Sequence, residues 1–280
     1  MSEPAGGSVP RPPVTDDTPA GAPSGDRLLA VALPEIAEVT PGDDLGRLAA
    51  EAWWSLTLED PELAPRPGDV LVVTQKVVSK AEGRLVRLAD VEPRPEAVAF
   101  AEAWGKDARQ VEVVLRESVA VLRMERGLII SRTSHGFVCA NAGVDASNVG
   151  AEDVVTLLPE DPDGSAAVLR ERIYEEFGVY VGVIISDSFG RPWRWGITDV
   201  ALGVAGFLPL EDLRGTPDAG GRTMQATVVA VADELASVAE LASGKTSRRP
   251  LVMIRGARLP AGVGSVTRDI VMAERDDLFP

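Results

Sequence analysis

The chain has 280 residues, 45% of them hydrophobic and 25% charged, which excludes a wholly disordered or fibrous protein and suits one large domain or two lobes with ample core. Lysine and arginine number 28 against 43 acidic residues, a formal net charge of −15, which argues against general affinity for nucleic acid or an anionic membrane. An anionic ligand must therefore be held by a local cluster of donors or by a metal.

Residues 1–26 carry Pro4, Pro10, Pro12, Pro13, Pro19 and Pro23 among small polar residues. Almost no large apolar side chain there offsets the entropy of ordering, so a disordered tail is expected. Folding is expected from about residue 27 to the end of the chain. Leu28 to Leu33 reads as a strand ending at Pro34, and residues 43–56 as a helix with Leu45, Leu48, Ala49, Ala52 and Leu56 on one face. Val70 to Val73 is a buried strand after the Pro67-Gly68-Asp69 turn. Residues 95–109 read as helical and 111–122 as continuing apolar structure. Leu128 to Ile130 and Phe137 to Cys139 read as a hairpin. Ser165 as N-cap and Gly178 as stop bracket a helix over 166–177. Val179 to Ile185 is an apolar strand, residues 223–242 a helix ended by Gly244, and Leu251 to Ile254 a last strand. The class is mixed α/β.

Cys139 and His135 are the only residues of their kinds. No intrachain disulfide is possible, cysteine- or histidine-rich zinc sites are excluded, and a Ser-His-Asp arrangement would have to use His135. A carboxylate-held Mg²⁺ or Mn²⁺ stays open, since hard cations take oxygen ligands. No apolar run approaches the roughly 20 residues of a membrane span, and no signal-peptide stretch opens the chain; a cytoplasmic location is expected.

Four polar segments interrupt the apolar pattern, where ligands of α/β proteins often bind. Thr74 to Lys80 offers two lysines to phosphates, or is an exposed basic loop. Asn141 to Asn148 offers Asp145 and Asn148 as oxygen donors to a cation or ribose, or is an Asx-rich turn. Ser186 to Gly196 places Asp187 and Ser188 where a strand runs out. Arg191 and Arg194 there suit an anion, and Trp193 and Trp195 either stack on a planar ring or cover the core. Ser243 to Pro250 contains Gly-Lys-Thr but is not a P-loop: Ala239 stands where that motif requires glycine, and the helix precedes rather than follows. It either contacts phosphates or is a helix end carrying cations that complement the dipole.

In order along the chain stand Leu33-Pro34-Glu35-Ile36, Pro41 to Leu45, the run Gly68 to Gly83, Asn141 to Val149, Leu158 to Asp163, Ser186 to Gly196, Thr198-Asp199, Val231 to Glu234 and Arg255-Gly256. Over about residues 28–280 this pattern resembles the coenzyme F420-0:γ-glutamyl ligase family. The resemblance implies a two-lobed α+β fold of the family's own kind, neither P-loop nor Rossmann, in a homodimer. It implies GTP-dependent attachment of one or more γ-linked L-glutamates to the terminal carboxylate of a deazaflavin phosphodiester through an acyl phosphate, with Mn²⁺ or Mg²⁺ and often K⁺. The alternatives are a related ligase acting on another carboxylic acid, and a non-catalytic nucleotide-binding protein.

Position by position, the resemblance puts Leu33, Pro34, Glu35, Ile36, Gln75, Lys80 and Asn148 at nucleotide contacts. It puts the loop Ser243, Gly244, Lys245, Thr246, Ser247, Arg248, Arg249 and Pro250 around the phosphates. Asp145 and Asp187 fall at ligands of a first metal. Ser188 falls at a second-metal ligand where threonine is common, and Lys245 where some members have a metal-binding glutamine. An ammonium cannot coordinate, so there the backbone carbonyl serves, the second metal is weaker, or Lys245 neutralises phosphate directly. Gln75 stands where other members have serine. Arg191 and Arg194 are carried as substrate-anion candidates from their chemistry. Some relatives continue into a flavin-reductase-like domain, so a free-standing ligase and an excised ligase domain are both expected possibilities.

Overall fold

The computed structural model describes residues 27–146 and 153–277. The expected tail and Asn148 lie outside the described residues. In chain order the elements are β1 (Leu29–Ala32), α1 (Leu45–Glu59), β2 (Val70–Thr74), α2 (Gln75–Ala81), β3 (Leu85–Arg87), α3 (Pro95–Trp104), α4 (Ala108–Arg116), β4 (Ser118–Glu125), β5 (Leu128–Thr133), β6 (Val138–Ala140), β7 (Val154–Thr156), α5 (Pro162–Phe177), β8 (Gly182–Arg191), β9 (Arg194–Ala205), β10 (Glu211–Asp212), β11 (Val228–Val229), α6 (Val231–Ser243), β12 (Leu251–Arg255) and α7 (Val266–Asp269).

Five strands form the main sheet in the order β1-β12-β2-β8-β9. Only β2 and β8 run parallel, with Val70 opposite Gly182 and Thr74 opposite Ser186; the other neighbours are antiparallel. This mixed order is neither a Rossmann nor a P-loop sheet. The central strands are apolar throughout because both faces are covered. Leu71, Val73, Val183, Ile185, Leu251 and Met253 face α1 and α5, meeting Ala49, Trp53, Leu56, Ala166, Leu169 and Ile173. The alternate residues Val70, Val72, Ile184, Val252 and Ile254 face α6 and α7, meeting Ala232, Leu235, Ala236 and Val266. A separate cluster packs α3 and α4 (Ala97, Phe100, Val111, Val114) on Ile129, Ala142, Val155 and Leu157. It belongs to the chain between α2 and α5, which also holds the three-stranded sheet β4-β5-β6 and the β3-β7 pair.

Several boundaries move for local reasons. Helix α1 starts at Leu45 because the Asp44 side chain accepts the Arg47 N–H (3.1 Å). The 95–109 helix is two helices: Gly105 stops the first in the left-handed region (φ 63°), and Asp107 caps the second by accepting the Arg109 N–H. The chain then turns into β4 within the stretch read as continuing apolar structure. Helix α5 begins at Pro162, capped by Asp161 rather than Ser165. The segment 74–80 is no loop: after Thr74 it is helix α2. Ser186 to Gly196 lies almost wholly in the hairpin β8-β9 rather than beyond a strand. The helix read over 223–242 begins only at Val231, and Val228–Val229 pairs as a strand with Glu211–Asp212.

Candidate active site

The carboxyl ends of the parallel pair β2 and β8 open into a cavity of about 1040 Å³, the place where open α/β sheets bind ligands. The 35–39 segment, the start of α2, Gly143 to Asp145, the β8-β9 hairpin and the 243–250 loop complete its walls.

Three carboxylates approach it from different elements. Asp145 is fixed by backbone: its N–H donates to the Thr156 carbonyl (3.0 Å), and its carbonyl accepts the Thr156 N–H (2.8 Å). Its side chain pairs with Lys76 Nζ at 2.7 Å. Asp187, on β8, lines the floor. Burial pushes its carboxyl up to about 7; the negative charges of Asp199 and Asp145 add to this, against the Ser188 backbone N–H and the Lys245 ammonium. Asp199, opposite Ser188 across the hairpin, is buried. It accepts the Ser188 hydroxyl at 2.5 Å and Lys245 Nζ at 3.0 Å. Lys245 also donates to Ser188 Oγ and lies 3.7 Å from Glu240 Oε1.

Cations face these acids. Lys76 and Lys80 come from one side of α2, and Lys80 is buried against Glu38. Lys245, Arg248 and Arg249 come from the loop after α6. That loop reverses at Gly244 (φ 69°), where a side chain would be strained. Gln75 is buried; its Nε2 ties α2 to the Leu157 carbonyl (3.0 Å) and also donates to Ser79 Oγ within the helix.

The cavity thus gathers Glu35, Ile36, Gln75, Lys80, Asp145, Asp187, Ser188 and most of the 243–250 loop. It does not gather all the expected residues. Leu33 is sealed in the core, and Pro34 and Ser247 lie outside the lining, Ser247 accepting the Arg249 N–H instead. Arg191 and Arg194 sit at the exposed tip of the hairpin, outside the cavity. Trp193 and Trp195 are 82% and 101% exposed there, so they do not cover the core. Lys245 is an ion-pair donor here; a protonated amine has no lone pair for a metal. Lys76, Asp199 and Glu240 also line the cavity; from sequence Glu240 reads only as the polar face of its helix. Asp199 carried a signal only as part of Thr198-Asp199, and Lys76 only as one of two lysines. The remaining lone residues are structural. His135 Nε2 contacts the Pro159 carbonyl (2.8 Å), and burial pushes the Cys139 thiol up to about 12.

Among the described residues no three His, Cys, Asp or Glu side chains are gathered into a metal site by themselves. The donor set still suits a hard cation that takes one or two carboxylates from protein and the rest from phosphate or water, as Mg²⁺ does beside nucleotides. Asp187 and Asp145 are the cavity carboxylates whose chemistry fits that part. Among the described residues no helix is long and apolar enough to cross a membrane.

The F420-0:gamma-glutamyl ligase family model matches residues 34–256. The chain is similar to the coenzyme F420:L-glutamate ligase of Methanopyrus kandleri, 48% identical over 222 residues, covering 79% of this chain and 84% of that one. The protein of that name from Methanothermobacter thermautotrophicus is 48% identical over 68% of this chain and 75% of its own length. The one from Methanocaldococcus jannaschii is 42% identical over 76% and 84%.

Proposed function

Because the chain belongs to the F420-0:gamma-glutamyl ligase family, we propose that it joins L-glutamate, once or repeatedly through γ-linkages, to the terminal carboxylate of F420-0 at the expense of GTP. The observation that carries this reading is one cavity that brings Asp145 and Asp187 together with Lys76, Lys80, Arg248 and Arg249.

A carboxylate does not react with an amine at neutral pH. Its oxygen must first attack the γ-phosphorus of the nucleotide, so that GDP leaves and an acyl phosphate forms. The glutamate amine then attacks the acyl carbon, giving up a proton as inorganic phosphate departs. Such chemistry asks the protein to position reactants and neutralise charge rather than supply a nucleophile. That fits a site without cysteine or histidine. Arg248, Arg249 and the backbone of the 243–250 loop hold the triphosphate, with Lys80 and Lys76 on the facing wall. Asp145 and Asp187 would hold Mn²⁺ or Mg²⁺. When bound, the ion offsets the repulsion between the acceptor carboxylate and the phosphates.

The purified protein with GTP, Mn²⁺, glutamate and F420-0 is expected to release GDP and to raise the acceptor mass by one or more glutamyl increments. GDP release without any mass gain would refute the reading. Asp187→Asn is expected to cut turnover about 100-fold or more. Its fold should hold. Because the wild-type carboxyl is pushed up, ionising it costs folding free energy, and the amide removes that cost.

A further inference from the structure

We infer that Lys245 is a built-in replacement for a second divalent cation, so that this chain handles its triphosphate with one metal ion, at Asp145 and Asp187. The inference rests on the nucleotide-dependent reading above and deepens it.

The oxygens that would hold a cation beside Asp187 come from three elements: Ser188 on β8, Asp199 on β9 and Glu240 on α6. All three are already turned toward one ammonium. Lys245 Nζ lies 3.0 Å from Asp199 Oδ1 and 3.7 Å from Glu240 Oε1, and it donates to Ser188 Oγ. The Asp199 carboxylate is 7% exposed, so it needs a counter-charge. The Ser188 hydroxyl spends its own proton on Asp199 (2.5 Å), and its oxygen accepts from Lys245. An ammonium has donors only, and a divalent ion in the same nest would meet a fixed positive charge at contact distance. The lysine reaches this position because Gly244 reverses the chain just past the end of α6, directing the next residue back across the hairpin. Asp145 and Asp187 differ. Asp145 is paired with a different lysine, Lys76 on α2, and shares the cavity lining with Asp187.

The test is the number of Mn²⁺ ions bound per chain, read by electron paramagnetic resonance of free Mn²⁺ in the presence of a non-hydrolysable GTP analogue. No acceptor or glutamate is present, so the count does not depend on whether ligation occurs. Wild type is expected to bind one ion. Lys245→Gln, which vacates the nest and adds an amide oxygen, is expected to bind two. Lys245→Met, which removes the charge without adding a ligand, is expected to weaken the analogue about tenfold at fixed Mn²⁺. Lys245 is half exposed on a loop, and a thermal unfolding trace confirms that each variant is folded. Two ions on the wild type, no bound ion, or one ion on Lys245→Gln would each overturn the inference. A failed ligation assay beside a one-to-two change in ion count would instead refute the reading of the reaction alone.

Discussion

The Glu112 carboxylate on α4 is 4% exposed and accepts four hydrogen bonds. They come from the Arg94 backbone N–H (3.0 Å), Arg94 Nε and Nη2 (2.9 Å each) and Arg116 Nε (2.8 Å). Hydrogen bonding from Arg94 is the main cause that holds this acid down at about 2, with Arg116 assisting and burial opposing. The sign follows from linkage. The unfolded chain binds the proton more tightly, so the stability contributed by Glu112 is complete above about 4.5 and is lost as pH falls through about 2. Glu112→Gln is expected to cost about 1–3 kcal/mol at neutral pH, with the guanidinium groups, half exposed, taking water as partial replacement. Urea unfolding should show the gap between variant and wild type closing toward pH 2. A gap that stays constant with pH would contradict this account. Asp187 carries the opposite sign, and the contrast separates an acid placed for stability from one placed for binding.

Among elements, β9 and α5 meet backbone to backbone. A Cβ on Gly203 would stand 2.2 Å from the Pro162 carbonyl carbon and oxygen and 2.6 Å from the Asp163 nitrogen, all backbone. Asp163, in the first turn of α5, also accepts the Val204 N–H (2.8 Å), the Val266 N–H (2.9 Å) and the Ser265 hydroxyl (2.7 Å). It thereby binds β9 and α7 to one helix start. Gly203→Ala must push helix and sheet apart and is expected to cost about 3 kcal/mol, measured by urea unfolding; a cost under about 0.5 kcal/mol would show that the contact yields. How much of this was legible in the sequence follows from the same local physics. The buried strands β2 and β12 announce themselves as short apolar runs, and the Gly178 stop appears as expected. Helix α2 does not, because its seven residues are too few to show a period beside a strand. The overlong helix read over 223–242 came from Met224 and Val228 falling by chance in phase with Val231 and Leu235, while β-branched Thr227-Val228-Val229 favours the extended chain it adopts. The site was legible as oxygen donors and cations in separate segments. Which lysine meets which aspartate was not, since Lys76 with Asp145 and Lys245 with Asp199 are pairings made by the fold.

At the scale of the whole molecule the net charge of −15 pulls against the lysines and arginines that line the cavity. The acidic excess repels itself in the compact state, whereas Lys80, Arg248 and Arg249 draw in a polyanion. Raising NaCl from about 10 to 300 mM is expected to lift the unfolding midpoint by a few degrees and to raise KM for GTP, as the Debye length falls below the spacing of surface charges. A midpoint indifferent to salt would mean that the charges are already paired off locally. The β2-β8 partnership has a different consequence. It joins positions more than a hundred residues apart, Val70 with Gly182 and Thr74 with Ser186, and the reaction chamber sits where those two strands end. Helices can form early from near neighbours, but so distant an encounter is slow and late. Until it happens, Lys76, Asp145, Asp187 and Lys245 are strangers scattered along a polymer, and the chamber they line does not exist.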